Sequence, residues 1–190
     1  MSLENQDLKE IRKLMERSTR FISLSGLSGI LSGIYALIAV WLVSNYFLPN
    51  EATDLIIITA LVVLGFSLAT ATLLSKRRAQ KQGIQILNST VKLLLFHLLI
   101  PLLIGGILSF ILLEKSNVDL IAATQLIFYG LALINASKYT AEYVQTLGFI
   151  EVFIGLLAAY FSEYSLELWG LGFGIVHILY SGIVYWKYEK

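Results

Sequence analysis

Three ionisable side chains lie inside long apolar stretches of this 190-residue chain: His97, Glu151 and His177. An ionisable group is costly in hydrocarbon, so the ones that occur there are candidates for function by default. A carboxyl group beside imidazoles can bind or pass on a proton, which makes a proton or cation site the functional interpretation. The structural alternative is a neutral or histidine-paired Glu151 that holds helices together.

Two amides extend this polar set. Gln125 and Asn135 share one face of a single apolar stretch. Pro101 follows His97 by four residues and frees the His97 carbonyl from its helical partner, which predicts an additional hydrogen-bond acceptor. Hydrogen bonds from His, Asn and Gln are also ordinary contacts between membrane helices, worth about 0.5 to 2 kcal/mol each. The predicted substrate or proton site has these members: His97, Gln125, Asn135, Glu151 and His177.

A metal or haem interpretation uses the same ionisable groups. Imidazole and carboxylate suit zinc or iron, so the candidate metal ligands are His97, Glu151 and His177. No local spacing such as HxxxH supports that site, and only the two histidines point to haem. The chain has no cysteine, which excludes disulfides, thiolate catalysis and iron–sulfur clusters. The sequence requires no cofactor and identifies no catalytic residue.

Three tyrosines, Tyr35, Tyr129 and Tyr180, also lie deep within apolar stretches. Each hydroxyl needs a hydrogen-bond partner, and each ring is suited to line a substrate path. Packing is the more frequent role for a buried tyrosine, and the sequence favours it here.

Six apolar stretches must position these residues. The first, Phe21 to Phe47, has 27 residues without a charge, enough to cross a hydrocarbon core about 30 Å thick. The other predicted spans cover about residues 55–74, 91–113, 118–138, 144–161 and 166–186. With 57% hydrophobic and 14% charged residues, the composition is typical of a multi-pass membrane protein. We expect an all-α fold: a cytoplasmic amphipathic lead-in helix over residues 1–20, then a domain of six transmembrane helices, arranged as three hairpins, over residues 21–190.

Small residues repeat on the first and last spans. Ser25, Gly29 and Gly33 share one face of the first span, and Gly170 and Gly174 form a GxxxG pair on the last. Small residues let two helix backbones approach closely, so these faces are predicted to pack against helices. The partner helix can belong to this chain, to a second copy or to another membrane protein. The lipid bilayer is the predicted surrounding, and no basic, aromatic-interleaved surface indicates nucleic acid.

The second and fourth spans match without gaps at an offset of 65 residues, and both begin with an acid. The matched pairs include Asp54 with Asp119, Thr59 with Thr124, and Gly65 with Gly130. Such a match predicts repeated hairpins of like orientation, an arrangement that occurs in transporters. Chance similarity between apolar segments is the alternative.

The stretch from Glu16 to Ile34, ERSTRFISLSGLSGILSGI, resembles the start of a group of short bacterial membrane proteins without an assigned role. The resemblance implies a bacterial inner membrane and supplies no functional residue. Three functions stay open: a small transporter or channel-like carrier, a non-catalytic partner or sensor subunit that associates through its small-residue faces, and an intramembrane metal or haem enzyme. The sequence favours the first and leans against an enzyme.

The distribution of lysine and arginine predicts the orientation, because positive charge stays on the cytoplasmic side. With both termini inside, thirteen of the fourteen basic residues are cytoplasmic or at that interface, and Lys115 alone is outside. Reporter fusions after Lys81 and at the C-terminus are therefore expected to report a cytoplasmic location. A periplasmic signal at either point would contradict this orientation.

Overall fold

The computed structural model describes residues 26–47, 53–81, 89–141 and 143–188. These ranges contain six helices that are long and apolar enough to cross a membrane, which confirms the predicted all-α, multi-pass fold. The predicted lead-in helix over residues 1–20 and the predicted packing residue Ser25 lie outside the described residues. We number the helices in chain order: α1 (Gly26–Phe47), α2 (Asp54–Lys81), α3 (Ser89–Glu114), α4 (Val118–Tyr139), α5 (Tyr143–Tyr160) and α6 (Ser162–Lys187).

The helices pack as neighbours in the order α2, α1, α6, α5, α4, α3. Each predicted hairpin is present, since α1 contacts α2, α3 contacts α4, and α5 contacts α6. Within the described ranges, α2 packs mainly on α1 and α3 mainly on α4. The most deeply buried large side chains, Leu126, Thr140 and Glu151, lie on or between α4 and α5. The most buried part of the described structure therefore lies along α4 and α5.

The small-residue faces of α1 and α6 pack against each other. A Cβ atom added to Gly33 would lie 2.8 Å from the carbonyl oxygen of Gly174, and one added to Gly29 would lie 2.0 Å from Ser181 Oγ. Gly170 faces α1 in the same way, with 3.0 Å between its added Cβ and the nearest side-chain atom. In the structure these glycines lie where α1 and α6 of the same chain approach each other closely.

A second close approach joins α4 and α5, and the sequence did not predict this pairing. A Cβ on Gly130 would lie 2.5 Å from the carbonyl oxygen of Gly148, and a Cβ on Gly148 would lie 2.7 Å from that of Gly130. The two backbones are therefore nearly in contact, as small residues allow in membrane helices. This contact sets the spacing of the two helices that carry Tyr129 and Glu151.

Helix α2 occupies a different environment from α4, although their sequences match. The hydroxyls of Thr59 and Thr72 donate to carbonyls four residues earlier in α2, at 2.7 and 2.8 Å. Such bonds satisfy the hydroxyls within the helix and let it face lipid. A Cβ on Gly65 would meet no atom of the described residues within 4 Å, whereas its counterpart Gly130 is packed against α5. The matched sequences thus form a peripheral helix and a central one.

Gly148→Ala is expected to lower the free energy of unfolding by about 1 to 3 kcal/mol, because its Cβ would overlap the backbone of α4. Gly65→Ala is the matched control, and it should leave stability unchanged or raise it by up to about 1 kcal/mol, since alanine favours helix over glycine. Thermal unfolding in detergent micelles measures both. Equal stability of the two variants would contradict the close α4–α5 contact.

Candidate functional site

A carboxyl–imidazole pair lies at the centre of the bundle. Glu151 on α5 is completely buried, and His177 on α6 is 6% exposed. Glu151 Oε1 and His177 Nδ1 are 3.1 Å apart, within hydrogen-bond distance. The sequence predicts this contact, because both residues lie at nearly equal depth on antiparallel spans joined by a short turn. The structure confirms it.

Tyr129 on α4 extends the pair into a group of three. Its hydroxyl oxygen lies 2.9 Å from His177 Nε2, and the two ring centroids are 5.4 Å apart. His177 Nδ1 faces two oxygen atoms, Glu151 Oε1 and the Gly172 carbonyl at 3.4 Å, and because a carbonyl can only accept, this contact favours the tautomer with a proton on Nδ1. When the imidazole is neutral, Nε2 accepts the Tyr129 O–H. Carboxyl, imidazole and phenol thus form a continuous hydrogen-bonded relay.

The second carboxylate oxygen of Glu151 is buried, and among the described residues it has no hydrogen-bond partner. A Cβ added to Gly172 would lie 2.6 Å from this Oε2 atom and 2.5 Å from Leu126 Cδ2. Gly172 therefore provides the space that Oε2 occupies. It belongs to a π-helical segment of α6, Leu171–Val176, a backbone irregularity that is frequent at functional sites.

One proton sets the net charge of this relay. With the carboxyl ionised and the imidazole neutral, the group carries one negative charge; a proton on Oε2 or on the ring makes it neutral. A net charge is disfavoured where apolar side chains and lipid replace water. Among the described residues, Oε2 is the acceptor of this group that has no hydrogen-bond partner.

Gln125 lies one helical turn from Tyr129 on α4 and bonds outside the relay. Its side-chain oxygen accepts a hydrogen bond of 2.8 Å from the indole N–H of Trp169 on α6. The Trp169 ring also packs on Phe173, with centroids 5.0 Å apart, and Phe173 packs on Tyr129 at 5.1 Å. Gln125 is therefore connected to the site through an aromatic layer.

His97 and Asn135 form a separate cluster between α3 and α4. The side-chain amide of Asn135 donates to the His97 carbonyl at 3.1 Å, which confirms that Pro101 leaves that oxygen open to another partner. His97 Nε2 lies 3.0 Å from the Tyr139 hydroxyl, and the two rings are stacked with centroids 5.0 Å apart. These contacts join α3 to α4. They engage His97 and Asn135, two residues that the sequence assigned to the predicted substrate or proton site.

The candidate metal ligands His97, Glu151 and His177 are not brought together. In the part of the chain that the structure describes, no three His, Asp or Glu residues lie close enough to hold a metal ion. The physical reason is lateral packing: α3 lies against α4, so His97 meets α4, whereas Glu151 faces α6. Similar depth in the membrane did not imply proximity.

Two members of the site were not assigned by the sequence. Tyr129 was interpreted as a packing residue, although its spacing of four residues from Gln125 places it on the polar face of α4. Gly172 lies between the two glycines of the predicted GxxxG pair, but it faces Glu151 and Leu126 rather than α1. Gly172, the additional glycine between Gly170 and Gly174, was the sequence signal for a close contact with a third helix.

The contact between Glu151 and His177 should stabilise the bundle. Glu151→Gln keeps an oxygen that accepts the Nδ1–H, so its unfolding free energy should stay close to that of the parent. Glu151→Leu leaves this buried donor unpaired and should cost about 1 to 3 kcal/mol. Unfolding in mixed micelles compares the two, with Glu163→Leu at an exposed position as control. A Leu variant as stable as the Gln variant would contradict the pairing.

Comparison of the chain with protein-family models, with curated proteins and with solved structures finds no match.

Proposed function

We propose that this protein is a small membrane carrier that binds and transfers protons, with Glu151, His177 and Tyr129 as its intramembrane proton site. The observation that carries the proposal is the completely buried Glu151 carboxyl, which shares one oxygen with His177 and has no partner for the other among the described residues. A carboxyl group in this position takes up one proton to become neutral.

The donor set favours a proton over a metal ion. Both nitrogens of His177 are engaged, Nδ1 with Glu151 and Nε2 with Tyr129. A zinc site takes three or four protein ligands with lone pairs directed at the metal, and a metal at this histidine would displace one of these bonds. The relay instead supplies what proton transfer needs, a chain of donors and acceptors at hydrogen-bond distance.

The rival interpretation is a partner subunit that associates through the glycines of α1. In the structure, that face of α1 is already in contact with another helix. Gly29 and Gly33 are covered by α6 of the same chain. Any association with a second copy or another membrane protein would use other surfaces.

The bacterial inner membrane, with both termini cytoplasmic, is the proposed location. Two features support it: the resemblance of the Glu16 to Ile34 stretch, and the basic residues at the ends of α2, α4 and α6, which alternation of the spans brings to one side.

Infrared titration of the protein in lipid vesicles tests the proton site directly. In difference spectra, the parent should show one carboxylic-acid carbonyl band, resolved from those of the other carboxyl groups, that appears and disappears with pH. Glu151→Gln should lack that band because the amide cannot ionise. Glu163→Gln, at an exposed acid, is the matched control and should retain it. Persistence of the titrating band in Glu151→Gln would contradict the assignment.

Proton flux into vesicles, followed with a trapped pH-sensitive dye under an imposed pH gradient, tests the carrier function. Glu151→Gln should abolish flux, and Tyr129→Phe should reduce it by about tenfold or more, since general acid–base relays contribute about 10² to 10⁴ in rate. Unchanged flux in both variants would exclude proton transfer through this site.

A further inference from the structure

We propose that the proton site is enclosed between two gates, one on each side along the membrane normal, and that α6 carries the moving residue of both. This inference rests on the proposed function, because it assigns the route by which the site of that carrier is reached. Each gate consists of an apolar cluster and one hydrogen bond from α6 to a neighbouring helix.

The first gate, which we call the Trp169 gate, lies on the side of the α5–α6 turn. Four buried residues of α4 and α5 form its cluster, and Trp169 and Phe173 of α6 pack against them: Ala123, Leu126, Ile154 and Ala158. The indole N–H of Trp169 donates to Gln125 at 2.8 Å and ties α6 to α4. This bond closes the bundle between the site and that end of the spans.

The second gate, the Tyr180 gate, lies on the opposite side. Its buried residues are Leu133, Val144 and Leu147, and the Tyr180 ring packs against them. The Tyr180 hydroxyl donates to the backbone carbonyl of Tyr143 at the start of α5. This bond ties α6 to α5, so α6 is held to a different neighbour on each side of the site.

The site lies in a single layer between the gates. On α5, Glu151 is three residues from Ile154 of one cluster and four residues from Leu147 of the other, so a helix rise of about 4.5 Å and about 6 Å separates it from them. Val176, next to His177, packs against both clusters. Both apolar clusters therefore border the layer of Glu151 and His177.

Helix α6 has a backbone feature that lets its two halves move independently. The π-helical segment Leu171–Val176 lies between Trp169 and His177, and it contains Gly172 and Gly174. A π-helical turn includes one residue more than an α-helical turn, so its loss or migration rotates one half of the helix relative to the other. Such a change can break the Trp169 bond while the Tyr180 bond stays in place, or the reverse.

Side-specific cysteine labelling tests the gates without measuring transport. The chain has no cysteine, so Val176→Cys introduces a single reporter beside the site. A charged thiol reagent that does not cross lipid is applied to vesicles from either side. The reporter alone should label slowly from both sides. Adding Trp169→Phe removes the indole donor and should raise the rate from the Trp169 side by about two- to tenfold, the factor that loss of one hydrogen bond gives.

Adding Tyr180→Phe should raise the labelling rate by a similar factor from the opposite side only. The matched controls are Trp186→Phe and Tyr164→Phe, whose rings are 74% and 55% exposed, and neither should change labelling. If Val176→Cys does not fold, Ile150→Cys, next to Glu151, serves as the reporter.

Acceleration from the same side in both gate variants, or from neither side, would overturn the two-gate inference. The proton assignment is tested separately, because labelling does not require Glu151 to titrate. Side-specific labelling together with an unchanged infrared band in Glu151→Gln would retain the gates and reject the proton. Loss of that band without side-specific labelling would do the opposite.

Discussion

A carboxyl group inside a membrane needs a hydrogen-bond partner, and the contact between Glu151 and His177 is the one on which the arrangement of α4, α5 and α6 depends. The two atoms approach to 3.1 Å only because the helix backbones around them come close. Gly130 and Gly148 bring α4 against α5, and Gly172 leaves room for the carboxyl on the α6 side. The geometry of the site therefore requires glycine at these positions, since a Cβ at any of them would displace a helix or a site residue.

Lipid provides little hydrophobic force between helices, so close packing and hydrogen bonds decide which helices become neighbours. The central helices use both: glycine contacts between α4 and α5, and hydrogen bonds from Trp169 and Tyr180 of α6 to α4 and α5. Helix α2 satisfies its threonines with its own carbonyls and needs no such partner. This difference explains why two spans with matching sequences lie at the periphery and at the centre.

Hydropathy was sufficient to predict the six spans, because crossing a membrane demands about 20 apolar residues whatever the neighbours are. The contact of Glu151 with His177 was also predictable, since a short turn places both at the same depth on adjacent helices. The order in which the helices pack side by side was not predictable. His97 has a suitable depth, but α3 packs on α4, and depth alone does not specify which helix lies beside which. Gly172 was missed for a related reason: a π-helical segment changes the face that a residue presents, and a regular period of 3.6 residues does not include that change.

The proposed proton site gives Oε2 of Glu151, unpaired among the described residues, a role that a purely structural contact does not give it. Buried ion pairs can often be replaced without loss of stability when both partners become apolar residues of similar volume, whereas removing one partner leaves the other unpaired and is destabilising. An unpaired buried acceptor such as Oε2 in the described structure costs about 1 to 3 kcal/mol, and replacing Glu151 alone by an apolar side chain exchanges this cost for that of an unpaired His177 donor. A proton that binds to Oε2 removes the negative charge, and the bond of Oε1 to His177 persists in both states. Under the proposed function, the unpaired oxygen is the position that a proton occupies and leaves.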